Sequence, residues 1–455
     1  MLNAEVCQKA RLSRDARFDG KFFTAVKTTR IYCRPICPAT TPKEENVTYF
    51  PSAIEAANAG YRPCLRCRPD SAPGSSAWKG IDTTLERAIR LINEGALHNG
   101  SLQMLADRLG ISDRYLRQLF NRHLGVSPKG YALYQQCLFA KQLLHQTKLP
   151  VTQIALACGF NSVRRFNDCF KTQVHLTPSQ VRKSTQTEAS NSLQLKLYYR
   201  PPYDWSNMQR FLMARFIPNL EWVDAHRYGR TFEWSGTAGH FTAQHIEGRN
   251  RFDVTIELDD ISHLKLIINN IKRILDLDVD IEAVEDNLQQ HYGSIIALHS
   301  GLRLPGTWDI FEAGIRAILG QQISVTAARH LVTCLVERLG KPAGDKRLFP
   351  SPCSIARSDF SFLKIPASRK QTLRNLAQHY VDHDTPDDSQ QWLTLKGVGP
   401  WTVDYARLRG LSDPDIYPGG DLGVKKAANR STGVFNPELA SPWRSYLTLQ
   451  LWNQG

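Results

Sequence analysis

Ten cysteines are spread over the 455 residues, and four of them crowd into one stretch: Cys33 and Cys37 in C-R-P-I-C, then Cys64 and Cys67 in C-L-R-C. Two close pairs separated by a loop have the spacing with which thiolates close a tetrahedron around a metal, so one zinc ion per chain is expected on a four-cysteine site. Four thiolates around Zn²⁺ leave a net charge of about −2, which keeps the sulfurs ionised and electron-rich at neutral pH. Such a cluster either only knots a small, core-poor domain together or also offers one sulfur as a nucleophile for an alkyl group. Arg30, Arg34, Arg62, Arg66 and Arg68 flank the pairs. Arg34 and Arg66 are expected to hold a phosphate backbone against them.

A second set of chemistry-bearing residues lies near the other end. Leu395–Thr402 (LKGVGPWT) has two glycines one residue apart between helical stretches, the form of a helix-hairpin-helix turn. Its flexible backbone can bring the Gly397 and Gly399 amides, at a helix N-terminus, against a DNA phosphate. About twenty residues on, Asp421 follows two glycines in IYPGGDLGVKK and precedes a helix bearing Lys425 and Lys426. An aspartate there serves as a helix N-cap whether or not it does anything else.

Between these ends two segments repeat one pattern. SLQMLADRLGISDRYLRQLFNRHLG has a short apolar helix, a turn at Gly110 and a second helix that exposes Arg114, Arg117 and Gln118. VTQIALACGFNSVRRFNDCFKTQVHLTPSQVRK repeats helix, Gly159 turn and helix, with Arg164, Arg165, Asn167 and Lys171 on its second helix. A helix-turn-helix lays such a helix in the major groove, where arginine and asparagine read base edges. A helical bundle with solvated charges is the plainer alternative.

The elements that must hold these residues follow from composition and period. Small polar stretches, Ser71–Ala77 and Ser184–Ser192, read as exposed linkers and cut the chain into three. The middle piece has apolar residues at three- and four-residue spacing, such as Leu102, Leu105, Ala106 and Leu109, and is expected to be all-α. After Leu193 come period-two runs such as LQLKLYY and RFDVTIEL, then from about Asp278 a helical pattern broken by Gly and Pro. The net charge of +14 is concentrated in residues 1–190, with 27 Lys and Arg against 14 Asp and Glu, while the remainder has 30 against 29. A basic half suits a polyanion such as double-stranded DNA, because each neutralised phosphate releases counterions. With 42% hydrophobic and 22% charged residues the chain is of globular type. No apolar run approaches the roughly 18 residues of a membrane span, so no membrane partner is expected. The first residues lack an apolar signal core, which leads to a cytoplasmic expectation.

Three resemblances sharpen these alternatives. TTRIYCRPICP and ENVTYFPSAIEAANAGYRPCLRCRPD resemble the N-terminal domain of the Ada family of adaptive-response proteins. That resemblance implies that Cys33 takes a methyl group from a methylated DNA phosphate in one irreversible turnover. The paired helix-turn-helix segments, with GFNSVRRF, resemble the AraC-type DNA-binding domain. From about Leu193 onward, GLRLPGTWDIFEAGIRAILGQQISVTAA, LKGVGPWTVDYARLRG, YPGGDLGVKK and PWRSYLTLQLW resemble AlkA-type DNA glycosylases.

The last resemblance implies that Asp421 is the catalytic carboxylate and that Trp401, Tyr405 and Trp452 line the pocket for a flipped alkylated base, although each aromatic also suits an ordinary core. It puts Gln322 where a wedge fills the gap in the stack. Strand-cutting relatives carry a lysine where this chain has Trp401, so a monofunctional glycosylase is expected. A C-terminal iron–sulfur cluster and the P-C-H-R-V site of alkylguanine repair are not expected.

The expected architecture is multidomain: an α+β zinc methyl-acceptor domain over 1–75, an all-α double helix-turn-helix domain over 78–184, a strand-rich subdomain over 193–280, and a helix-hairpin-helix glycosylase domain over 281–455. The function implied is bifunctional alkylation repair. A glycosylase releases bases of the 3-methyladenine type, and a self-methylating sensor switches on repair genes at a promoter site. RNA polymerase is a further partner that a transcriptional activator implies. The rival is a pure regulator whose glycosylase-like half is an inactive DNA clamp.

Overall fold

The structure is a computed structural model that describes residues 2–454 except 16–17, 20, 38, 65–66, 68–82, 94, 98–99, 183–192, 384–385, 432 and 434. Both expected linkers fall largely or wholly outside the described residues. The chain forms two compact units, one comprising Met1–Pro201 with Asp260–Asn269 and Leu277–Asp280, the other the remaining residues to Gly455.

The first unit opens with α1 (Ala4–Ser13) and a small four-stranded sheet of order β3-β1-β2-β4, built from β1 (Phe23–Val26), β2 (Ile31–Cys33), β3 (Val47–Phe50) and β4 (Arg62–Pro63). Helix α2 (Ala53–Asn58) packs on it. Among the described residues the core here is two small clusters, one of Phe23, Ala25, Tyr32, Ala56 and Tyr61 and one of Cys7, Ala10 and Phe22. So few buried residues are the setting in which a metal contributes outright to folding.

A helical array follows: α3 (Thr83–Asn93), α4 (Leu102–Leu109), α5 (Asp113–Leu124), α6 (Pro128–Gln146), α7 (Val151–Ala157), α8 (Val163–Val174) and α9 (Pro178–Arg182). The starts are set by side-chain caps, Ser101 to the Met104 amide, Ser112 to Tyr115, Ser127 to Gly130 and Ser162 to Arg165. Gly110 (φ 70°) and Gly159 (φ 79°) make the two turns in left-handed backbone that favours glycine. One face of each second helix is apolar and buried: Leu116, Leu119, Phe120 and Leu124 on α5, Phe166, Phe170 and Val174 on α8. Each buried Leu or Phe contributes about 1.5–3 kcal/mol, which leaves the polar faces of these helices free of any packing duty. Strand β5 (Leu193–Tyr198) lies near the end of this stretch.

In the second unit α10 (Trp205–Arg215) precedes four antiparallel strands of order β9-β8-β7-β6, namely β6 (Glu221–Val223), β7 (Arg227–Trp234), β8 (Thr237–Ile246) and β9 (Arg251–Leu258). The period-two reading of RFDVTIEL is realised directly, with Phe252, Val254 and Ile256 buried in alternation. The chain then runs through α11 (Leu264–Ile274), whose residues to Asn269 belong to the first unit, and continues in the second with α12 (Ile281–Tyr292).

Helices α13 (Ile310–Gly320), α14 (Val325–Leu339), α15 (Pro352–Ala356), α16 (Ala367–Asp382), α17 (Pro400–Ala406), α18 (Leu422–Ala428) and α19 (Arg444–Trp452) complete the unit. A two-stranded ribbon, β10 (Pro342–Ala343) and β11 (Lys346–Arg347), lies among them. Helix α13 is buried on nearly every side, and the core around it includes Ile315, Leu335, Leu376 and the fully buried Trp392. Gly314 lets α13 approach so closely: a Cβ there would lie 2.9 Å from both Leu376 and Trp392. No described helix is long and apolar enough to cross a membrane.

Candidate functional sites

The zinc cluster is assembled by the small sheet. Cys33 ends β2, whose register sets Thr24 opposite it on β1 and Arg62 opposite Ile31 on β4. The Cys64 amide donates to the Tyr32 carbonyl at 2.9 Å, and the Cys37 amide to the Arg34 carbonyl at 3.1 Å, so both pairs converge on one end of the sheet. The four sulfurs lie within 4.8 Å of one another, with Cys37 and Cys64 at 4.0 Å. A tetrahedron with bonds of about 2.3 Å has edges of about 3.8 Å, so the donor set and its size fit zinc. Cys64 and Cys67 are buried, while Cys33 and Cys37 are partly open.

Arg34 is not at the surface, where a backbone contact would need it. Its guanidinium is buried in an ion pair with Asp19, with Nε donating to Oδ1 at 2.7 Å, and it also donates to the Cys67 carbonyl at 3.2 Å. Burying an arginine is tolerable only with such a partner, so its role here is to brace the cluster. Arg66 and Arg68 lie outside the described residues. Arg30 is exposed, in left-handed backbone and over the Tyr61 ring at 5.4 Å. Two bracing groups escaped the sequence reading. Lys141, fully buried on α6, donates to the Cys64 carbonyl at 3.4 Å, and the Tyr134 hydroxyl meets that of Tyr32 at 2.9 Å. They stand 77 and 102 residues from their partners, and no local spacing marks them.

On the paired helix-turn-helix units, Arg114, Arg117 and Gln118 on α5 are exposed, and with Asn121 and Arg122 they line one surface pocket. Arg117 pairs with half-exposed Asp113 at 3.1 Å, a weak pair that phosphate can displace. Arg164, Arg165, Asn167 and Lys171 are exposed on α8.

In the second unit the C-terminal residues come together around one carboxylate. Trp401 and Tyr405 share a face of α17 at i and i+4, with ring centroids 5.4 Å apart, and Trp452 at the end of α19 lies 6.4 Å from Tyr405. Asp421 caps α18: its Oδ1 accepts from the Gly423 amide at 2.9 Å and the Val424 amide at 3.1 Å. The indole of Trp452 also donates to Oδ1, at 3.1 Å, and that of Trp401 to Oδ2 at 3.0 Å. The cap therefore fixes one end of the carboxylate while the two indoles hold it beside the aromatic rings. Beyond α17 the helix widens into a π-helical turn, Arg407–Leu411, a form frequent at functional sites. From it Arg409 donates to the Tyr405 hydroxyl at 2.9 Å.

The hairpin lies beside this pocket. Gly397 sits at φ 93°, and a Cβ there would fall 2.0 Å from Thr372 Oγ1, while Gly399 caps α17 with open space around it. Gln322, exposed at φ 58°, occupies the tip between α13 and α14. Its neighbour Gln321 ties that tip to the hairpin, donating to the Gly397 carbonyl at 3.3 Å and Thr402 Oγ1 at 3.1 Å.

Three family profiles match the chain: the metal binding domain of Ada over 6–70, a helix-turn-helix domain over 105–184 and the AlkA N-terminal domain over 194–309. A probable bifunctional transcriptional activator/DNA repair enzyme AlkA of Mycobacterium tuberculosis is 34% identical over 98% of this chain and 96% of its own length. The chain belongs to that AlkA family. Its second half is 32% identical to the DNA-3-methyladenine glycosylase 2 of Escherichia coli, across 56% of this chain and 95% of that protein. Over 33% of this chain and 40% of the other, it is 38% identical to the bifunctional transcriptional activator/DNA repair enzyme Ada of Escherichia coli. The AlkA-family chain thus carries the zinc, helix-turn-helix and glycosylase folds in one polypeptide.

Proposed function

We propose that this protein repairs alkylated DNA twice over: a monofunctional glycosylase removes alkylated bases such as 3-methyladenine, and a zinc-held cysteine takes methyl groups from phosphotriesters. The observation that carries the first activity is the Asp421 carboxylate, held by two amides and two indoles at the edge of three aromatic rings. The rings receive a flipped base, whose cationic form favours aromatic faces. Asp421 then stabilises the positive charge that grows on the sugar as the glycosidic bond breaks, or assists attacking water. The hairpin amides of Gly397 and Gly399 grip a phosphate, and Gln322 reaches into the stack.

At the other site the Cys33 sulfur attacks the methyl carbon of a methylated phosphate. A sulfur–carbon bond forms, the carbon–oxygen bond breaks, and the phosphate regains its charge. Bound zinc supplies the positive charge that keeps these sulfurs ionised. Cys37, Cys64 and Cys67 hold the cluster, and Arg34 and Lys141 brace it. The cluster passes from about −2 to about −1, so repulsion from DNA falls and the arginines of α5 and α8 bind promoter DNA more tightly. Transcription of repair genes through RNA polymerase follows from that binding.

The test is release of 3-methyladenine from methylated duplex DNA by the intact protein beside Asp421→Asn, which keeps an N-capping acceptor. Release by the intact protein, lost on the order of 10²–10³-fold in the variant, is the expected result. Release by neither protein favours the pure regulator, a reading with which the near-neutral charge of the second half, 30 Lys and Arg against 29 Asp and Glu, agrees.

A further inference from the structure

The wall of the aromatic pocket holds two cations that the reaction outlined so far does not use. Arg409 is buried, held by the Pro305 carbonyl and by the face of Phe211 at 4.7 Å, and it donates to the Tyr405 oxygen. Arg215, at the end of α10, lies over the same Phe211 ring at 3.8 Å. The main chain beneath it is fixed, because Arg316 donates to the Arg215 carbonyl at 3.2 Å. Among the described residues its head makes no ion pair; it donates to the Phe211 carbonyl at 3.4 Å and lies within hydrogen-bond reach of the Tyr405 oxygen. Burial disfavours its charge, while Tyr405 and Asp421 lie close enough to favour it.

These contacts decide where the Tyr405 proton points. A phenolic oxygen that already receives a guanidinium N–H keeps one O–H of its own to donate, and that O–H turns away from the donor. Burial raises the Tyr405 phenol, but Arg409 and then Arg215 outweigh it, so its pKa falls below the ordinary value and the O–H becomes a stronger donor. The Tyr405 O–H and the further N–H groups of the Arg215 guanidinium, which has five in all, therefore stand beside the aromatic faces as donors for a ligand.

We propose that Arg215, acting with Tyr405, reads the acceptor edge of the flipped base and divides substrates by charge. This rests on the glycosylase reading above. A neutral damaged base with a carbonyl oxygen or an unprotonated ring nitrogen accepts from both donors. As its bond to the sugar breaks, negative charge gathers on that edge, and donors already aimed there stabilise it. A cationic N-alkyl purine leaves without that help, and a guanidinium beside it is a repulsion that only the aromatic faces and Asp421 offset. Arg215 is on this account a specificity-determining residue, found some 200 positions from the aspartate it serves.

The experiment compares single-turnover release of hypoxanthine, a neutral base with a carbonyl oxygen, and of 7-methylguanine, a cationic one, from otherwise identical duplexes. Arg215→Met and Tyr405→Phe each lower the hypoxanthine-to-7-methylguanine rate ratio about tenfold, the usual worth of a hydrogen bond to a charged or polarised group. Arg215→Lys, which keeps a positive donor, recovers the ratio to within about threefold. A thermal melt of each variant that matches the intact protein reports that it is folded, and Tyr405→Phe serves if the methionine variant is unstable. An unchanged ratio in both Arg215→Met and Tyr405→Phe, no recovery in Arg215→Lys, or an intact protein that releases 7-methylguanine alone overturns the proposal. Release of neither base by the intact protein overturns the glycosylase reading itself.

Discussion

Cys33 and Asp421, the two residues proposed to act on damaged DNA, are built in opposite ways. Cys33 is one of four sulfurs gathered from 35 consecutive residues on the end of a small sheet, and it is partly open. Asp421 is fixed by groups from three helices, α17, α18 and α19, with three donors on Oδ1 and one on Oδ2. A sulfur that keeps the methyl group is a reagent used once. A carboxylate that only stabilises charge is a catalyst used many times. The first arrangement suits a count of damage, the second its clearance.

This contrast can be broken at either end. Cys33→Ala removes the acceptor outright: protein-bound methyl from phosphotriesters falls to background while base release continues, as scintillation counting of protein and supernatant will register. Arg34→Met strands Asp19 as an unpaired buried charge beneath the cluster and costs about 3–5 kcal/mol of first-unit stability, seen as a lowered urea midpoint. In the other half, Gly397→Ala forces a Cβ against Thr372 in left-handed backbone and costs about 1–3 kcal/mol, together with weaker binding of duplex. Its partner Gly399→Ala, at φ −111° with open space, changes stability by less than about 0.5 kcal/mol, so thermal melts of the two glycine variants should separate clearly. A change on the helices α5 and α8 acts on DNA binding instead of stability. Arg165→Ala weakens promoter binding by about 1–3 kcal/mol if it meets a base, or lowers the salt slope by about one if it meets phosphate, which titrations at several salt concentrations distinguish.

The two regions also differed in how far the sequence disclosed them. The four cysteines, the two turn glycines of the helix-turn-helix units and the period-two strand RFDVTIEL are local patterns, and local patterns survive translation into structure because their geometry is set within a few residues. Arg34 shows the limit. Its position beside Cys33 suggested an open basic surface, whereas an aspartate fifteen residues away draws it inward. Lys141 and Tyr134, on α6, and Arg215, on α10, touch their sites only through tertiary packing, and nothing in their immediate neighbours distinguishes them from other polar residues on a helix. Asp421 was ambiguous for another reason. An N-cap and a site carboxylate share one local geometry, and the two indoles that support the second reading come from twenty and thirty-one residues away.

The central claim is that one chain uses alkylated DNA in two ways, once by keeping the methyl group and repeatedly by releasing the base. Duplex DNA carrying isotopically labelled methyl groups tests it directly when incubated with excess damage over protein. The account predicts that label on the protein saturates at one methyl per chain, on Cys33, while labelled free base keeps accumulating in the supernatant past many equivalents. Free base that stops at or below one equivalent, or label on the protein that never appears, would contradict it.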